Sequence, residues 1–243
     1  MGCFGAYPGK NEPTSGYLVE YKDTKVLVDC GSGVLAKVQE FVRLDQIAAV
    51  VFSHYHRDHC ADLECMQYAA LVDLQLKRRT TPLYMWGSKE SGSGIPSLSY
   101  QEYCLAAYYR ENEDFTIGKL HFRVQQNLHD VPSYSIKIRD AEGNVLVYTG
   151  DTEFYEQLIP FAQGASCFLC ECSLYSAQKG QVPGHLSAGE VGLLAKSSKV
   201  KKLVLTHLPH YGDLHQLIAE AAREFNGKIL LAQPGMVLRI DDK

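Results

Sequence analysis

Within six residues the sequence places His54, His56, Asp58 and His59. Imidazole nitrogens and carboxylate oxygens are the donors that zinc and related divalent ions accept. Residues two apart in an extended segment point the same way, so His54 and His56 can converge on one ion. Asp58 and His59 follow directly, where a helix is expected to begin, and can face a second ion beside the first. A surface loop that happens to hold three histidines is the plain alternative, but few structural roles need so dense a cluster. Further along, Asp151 and His207 each follow a short apolar run (145–148 and 203–205), and His129 lies in a polar stretch. Asp151 also has a rival role as the cap of a helix expected after it, and His129 that of an ordinary loop histidine.

Something must hold these residues at one place. The run 47–52 is short and continuously apolar, as in a strand buried on both faces, and the histidine cluster begins two residues after it. Strands are read at 16–21 and 25–29 with a turn between them, at 82–86, 120–126, 134–139, 145–149, 167–172, 203–206, 228–232 and 236–240. Helical spacing is read at 34–42, 61–76, 154–161 and 214–225, and at 99–109, which carries Tyr100, Tyr103, Tyr108 and Tyr109. Ser187 with Glu190 three residues later marks the start of another helix. Residues 87–98 are rich in Gly and Ser and read as a long loop. Strands dominate both halves with helices between them, which fits a layered α/β sandwich better than a doubly wound sheet. No Gly-rich dinucleotide fingerprint follows a strand.

Length and composition narrow the function. The 243 residues suit one domain spanning 1–243. A net charge of −4 gives no global attraction for nucleic acid or an anionic membrane. No window approaches the ~18 apolar residues of a bilayer span. The first residues lack a basic-then-apolar leader, so the expected location is cytoplasmic, with the eight cysteines free. Cys167, Cys170 and Cys172 lack partners at zinc-finger spacing and read as buried thiols. His121 reads as structural, and His210 and His215 as surface residues or residues behind the ligands. Nothing in the sequence decides between a monomer and a homodimer.

The segment Ser53-His54-Tyr55-His56-Arg57-Asp58-His59 resembles the His-x-His-x-Asp-His signature of the metallo-β-lactamase superfamily. His129, Asp151 in Thr149-Gly150-Asp151-Thr152, and His207 in Leu205-Thr206-His207 resemble that family's later motifs, in the same order. The resemblance implies a four-layer αββα sandwich with a binuclear metal site at one edge of its two sheets. It implies that His54, His56 and His129 hold one ion, that Asp58, His59 and His207 hold the other, and that Asp151 bridges them. Zinc is the expected metal, with manganese as the alternative. Two divalent ions, two aspartates and a bridging hydroxide would sum to about +1, a positive pocket in an acidic protein, suited to an anionic substrate.

Within that family the chain is similar to the ribonuclease Z-like and phosphodiesterase branch. An aspartate fills the position where many zinc β-lactamases carry cysteine. His185 in Gly184-His185-Leu186-Ser187 resembles the branch's catalytic histidine, and Glu171 is expected to orient it. Asp58 and His185 are accordingly the expected catalytic residues. A histidine beside the helix cap at Ser187 remains the alternative for His185. Ribonuclease Z inserts a long tRNA-gripping arm between the third-motif histidine and the bridging aspartate. Here His129 and Asp151 are 22 positions apart (151 − 129), room for one hairpin. The expected activity is therefore hydrolysis of a small phosphodiester, such as a cyclic nucleotide or short oligonucleotide. Processing of tRNA 3′ ends is the alternative, with RNA a less favoured partner, and a non-catalytic metal-binding scaffold is a weaker one because every ligand position is filled. The Gly/Ser-rich loop and the four tyrosines are open to roles as a lid, a stacking surface or core.

Overall fold

The structure, a computed structural model, describes residues 1–89 and 97–241. Among these residues, two mixed sheets pack face to face. The first contains β1 (Tyr17–Tyr21), β2 (Thr24–Val28), β3 (Ala49–Val51), β4 (Leu83–Ser88) and β5 (Cys104–Tyr109), in that order. Only β1 and β2 pair antiparallel; the other neighbours are parallel. The second sheet contains β6 (Asp114–Ile117), β7 (Leu120–Gln126), β8 (Tyr134–Arg139), β9 (Val145–Tyr148), β10 (Cys167–Glu171), β11 (Lys202–Thr206) and β12 (Lys228–Leu231). It runs in reverse order from β12 to β6, antiparallel from β6 to β9 and parallel from β9 to β12.

Alternation along the strands separates two cores. On β2 and β3, Val26, Val28, Ala49 and Val51 point between the sheets, where they join Phe122, Ile136, Tyr148 and Phe168. Their neighbours Leu27 and Val50 point outward, onto Val34 and Val38 of α1 (Val34–Val38) and onto Leu63 and Met66 of α3 (Leu63–Gln75). Between these two helices in sequence lies the short α2 (Arg57–Cys60). On the far side α4 (Leu158–Ala162), α5 (Ala188–Ser197) and α6 (Leu214–Ala221) supply Leu158, Val191, Leu194 and Leu217 to the larger core. The layers are thus helix, sheet, sheet, helix, as expected. The capping box at α5 forms, with the Ser187 and Glu190 side chains each satisfying a backbone N–H.

Two readings fail, and one strand has no counterpart among the expected elements. Residues 99–109 form a tight turn, with Cys104 N–H bonded to the Tyr100 carbonyl, and then the edge strand β5 rather than a helix. Parallel pairing of all six β5 residues with β4 outweighs the modest helical preference of a short Leu-Ala-Ala stretch. Residues 236–240 are mostly apolar yet pair with no strand among the described residues. The edge strand β6 is a four-residue strand that the apolar pattern does not mark. Its signal was Gly118, left-handed at φ 55°, in the turn to β7. Of the expected 87–98 loop, Gly87 and Ser88 belong to β4, and residues 90–96 lie outside the described residues.

Candidate metal centre

The chain ends of five strands converge on one edge of the sandwich. Asp29 follows β2, the cluster from His54 follows β3, Asp151 follows β9, Glu171 ends β10, and His207 follows β11. His129 comes from the turn between β7 and β8. Asp29 and His207 are both left-handed (φ 58° and 50°), a conformation few non-glycine residues adopt and one that tends to persist where function fixes it. Asp151 caps no helix, because α4 starts seven residues later, behind Gln157.

Two groups of donors form. Ligand atoms of His54, His56, His129 and Asp151 all lie within 4.8 Å of one another, and so do those of Asp58, His59, Asp151 and His207. Asp151 belongs to both. Its Oδ2 is 3.6 Å from His54 Nε2 and 3.2 Å from His207 Nε2, and its Oδ1 is 3.3 Å from His59 Nε2. Asp58 Oδ2 is 3.0 Å from His207 Nε2.

The polarity of the rings shows that this arrangement fits metal. In His54, His59, His129 and His207 the Nδ1 atom is engaged from behind: by Ser53 Oγ at 3.1 Å, Asp29 Oδ2 at 2.8 Å, the Gly184 carbonyl at 3.0 Å and Ser173 Oγ at 2.8 Å. Each ring is therefore fixed from behind through Nδ1 and turns its Nε2 inward, the atom that can give up a proton to take a metal ion. His54 Nε2, His59 Nε2 and Asp151 Oδ1 are buried with no hydrogen-bond partner among the described residues. Orphaned buried polar atoms are costly, and a cation among them removes that cost. His56 is the exception: it is half-buried, with Nδ1 3.1 Å from His129 Nε2 and Nε2 3.5 Å from the Asp130 carboxylate.

Charge follows the same plan. Burial, reinforced by the charge of His59, holds His54 well below the usual histidine range, and burial lowers His129 too, so both stay neutral. Burial would lift the Asp151 and Asp58 carboxyls, but the surrounding histidines win and hold both below the usual range. His59 is pushed up because Asp151 and Asp29 outweigh its burial.

Asp29 was missed in the sequence. It is fully buried and gathers the Ser53 N–H and Oγ, His59 Nδ1 and the Tyr148 hydroxyl at 2.7–2.9 Å. The rule that singled out Asp151, a carboxylate just past an apolar strand, would have found it. Ser173, which joins His207 to Glu171, carried no such signal. Glu171 does meet His185, at 3.1 Å from Nδ1. Burial opposes protonation of His185, yet the Glu171 charge and hydrogen bond prevail and raise it to about 9. Glu171, His185 and His207 also lie close enough to form a third donor group. Glu171 is already engaged by the Thr152 and Leu186 N–H groups and by Ser173, so positioning is the role its contacts describe.

Of the four tyrosines, Tyr109 is core, its hydroxyl donating to the Phe52 carbonyl at 2.7 Å, while Tyr100 packs on Tyr68 and Tyr108 is exposed. Cys167, Cys170 and Cys172 are buried and free, their thiols raised by burial. Among the described residues, no helix is long and apolar enough to cross a membrane.

Residues 24–208 match the β-lactamase superfamily domain. The chain belongs to the metallo-β-lactamase superfamily. It is a metallo-hydrolase of that family by its relatives, with His/Asp clusters able to bind metal ions. The probable metallo-hydrolase YhfI of Bacillus subtilis is 36% identical over 237 residues, which cover 98% of this chain and 97% of that protein. The crystal structure of YhfI superposes with a TM-score of 0.94 at 34% identity, covering 98% and 96% of the two chains. A ribonuclease Z of Methanopyrus kandleri is 26% identical over 276 residues, 99% of this chain and 96% of that protein. A diphosphatase from the PhnP family shares the fold at a TM-score of 0.72 and 17% identity, over 92% and 83% of the chains. In this superfamily member the span from His129 to Asp151 holds the β8–β9 hairpin and no inserted arm.

Proposed function

We propose that the chain is a binuclear phosphodiesterase acting on a small phosphodiester, a cyclic nucleotide or a short oligonucleotide, with two zinc ions. His54, His56 and His129 would hold one ion, Asp58, His59 and His207 the other, and Asp151 would serve both. When bound, the ions supply Lewis acidity toward the phosphoryl oxygens and generate a nucleophile from water at neutral pH.

The observation that carries the reading is the placement of His185. Its ring lies 5.3 Å from that of His207 and 5.5 Å from that of His129, between the two ligand groups but outside both. Glu171 fixes its Nδ1–H and favours the cationic ring, leaving Nε2 to hold a proton for a departing ester oxygen. A phosphodiester needs such a donor, because its alkoxide leaving group is a strong base. Asp58 is held by three partners, the Ala6 N–H at 2.7 Å, His207 and His59, so it stays ionised and fixed in place. Imidazole and carboxylate donors without thiolate suit zinc, and manganese as an alternative. The short hairpin between His129 and Asp151, and the acidic net charge, favour a small substrate over folded RNA.

The test is a panel of metal-loaded protein against bis-p-nitrophenyl phosphate, cyclic nucleotides, nitrocefin and a tRNA precursor. Turnover of the first two and little of the others is expected. Efficient, site-specific 3′ cleavage of the tRNA precursor at physiological salt would replace this reading with tRNA processing.

A further inference from the structure

An exposed tyrosine is tied to the metal centre by a built loop. The Ala6 N–H donates to Asp58 Oδ2 at 2.7 Å, with Ala6 held left-handed at φ 63°. Gly5 lies so close to His207 that an added Cβ would meet the ring at 2.5 Å. The Gly5 N–H donates to the Leu208 carbonyl, and the Leu208 N–H to that of Cys3, which fastens this segment to the chain just past His207. Tyr7 comes next, with 58% of its surface exposed. Its ring stacks on His210 at 3.9 Å and 13°, and His210 also lies against Phe4 at 4.8 Å and 19°. His210 Nε2 donates to the Tyr7 carbonyl at 2.6 Å.

Single exposed aromatics are common on protein surfaces. This one differs in its fixings: a histidine bonded to its backbone and stacked on its ring, and a left-handed residue before it whose N–H holds a candidate metal ligand. The loop thus sets a flat aromatic face at the rim of the Asp58 and His207 side of the centre. Every nucleobase has a π-face, so such a platform accepts any base without reading its identity. We propose that Tyr7, backed by His210, is the platform on which the base of a nucleotide substrate stacks, and that it sets a preference for nucleotides over base-free phosphate esters. The proposal rests on the phosphodiesterase reading for where the phosphate sits.

Equilibrium binding by calorimetry to the zinc-loaded protein tests it without turnover, with adenosine 5′-monophosphate and ribose 5-phosphate as probes. Wild type should bind the nucleotide about tenfold more tightly than the sugar phosphate. Tyr7→Ala should abolish that advantage and Tyr7→Phe should keep it. Persistence of the advantage in Tyr7→Ala overturns the proposal. So does equal weakening of both probes, which would mean that Tyr7 acts through Asp58. Should Tyr7→Ala fail to fold, saturation-transfer NMR on wild type decides: the strongest transfer should fall on the adenine protons, and transfer confined to the ribose overturns the proposal. A Tyr7-dependent base preference in a protein that hydrolyses no phosphodiester would support the platform and sink the phosphodiesterase reading.

Discussion

Replacing Asp29 by Asn changes no shape and removes one charge at the residue behind His59. Asp29 Oδ1 accepts from the Ser53 N–H, and an Asn oxygen can keep that bond. Oδ2 accepts from Ser53 Oγ, the Tyr148 hydroxyl and His59 Nδ1. An amide NH2 there can donate to the two hydroxyls, which rotate, but not to a protonated Nδ1. His59 must then either set N–H against N–H, at about 1–3 kcal/mol, or move its proton to Nε2, the atom that faces the centre. Both routes tax metal binding. The expected loss is about 10–100-fold in affinity, or about 1.4–2.8 kcal/mol, at the site that His59 serves, with a smaller effect at the site of His56 and His129. Chelator competition fitted to two sites reads this directly, with circular dichroism to confirm the fold. Both affinities unchanged within about twofold in a folded Asp29→Asn protein would refute the role assigned to Asp29.

His185→Ala should retain both ions by elemental analysis while losing about 10²–10⁴-fold in turnover; loss of an ion would move His185 into the ligand set. Ser173→Ala removes the group between His207 and Glu171. It should weaken the site of Asp58, His59 and His207 by about tenfold in the same chelator assay, and an unchanged affinity would mean that His207 needs no orienting partner. Stripping the metal should lower the melting temperature by about 16–32 °C relative to protein with metal at a thousandfold excess over the Kd of each site, since that excess stabilises by about 4 kcal/mol per site and about 8 kcal/mol for two. A scanning-calorimetry profile that chelation leaves unmoved would show that the orphaned His54, His59 and Asp151 atoms do not hold metal.

Much of the fold and centre was legible because the signals were local. Apolar runs of three to six residues marked β2, β3, β9, β10 and β11, and the residues just past four of them are those the structure brings together. His185 and Glu171 could be paired because the family resemblance singles out His185, and a carboxylate behind such a histidine is the usual orienting partner. What escaped depended on long-range partners. Strand β5 is fixed by its register with β4, which nothing in Leu105-Ala106-Ala107 announces. Residues 236–240 are apolar enough for a strand, but an apolar run does not supply a neighbouring edge. Asp29 stands just past β2, where a local rule reaches it, but its partners lie 24, 30 and 119 positions away, so what it does there exists only once the sheets are packed. Ser173 is similar, 34 positions from His207. Tyr7 and His210, more than 200 positions apart, meet because the N-terminal segment lies beside the chain that follows β11.

Stepwise return of zinc to the stripped protein, with hydrolysis of a cyclic nucleotide followed at each addition, tests the binuclear phosphodiesterase most directly. Turnover should be slight through the first equivalent and rise to a plateau as the second is taken up, with a nucleoside monophosphate as product. Full turnover with one ion per chain, or none at two while another class of ester is cleaved, would contradict it.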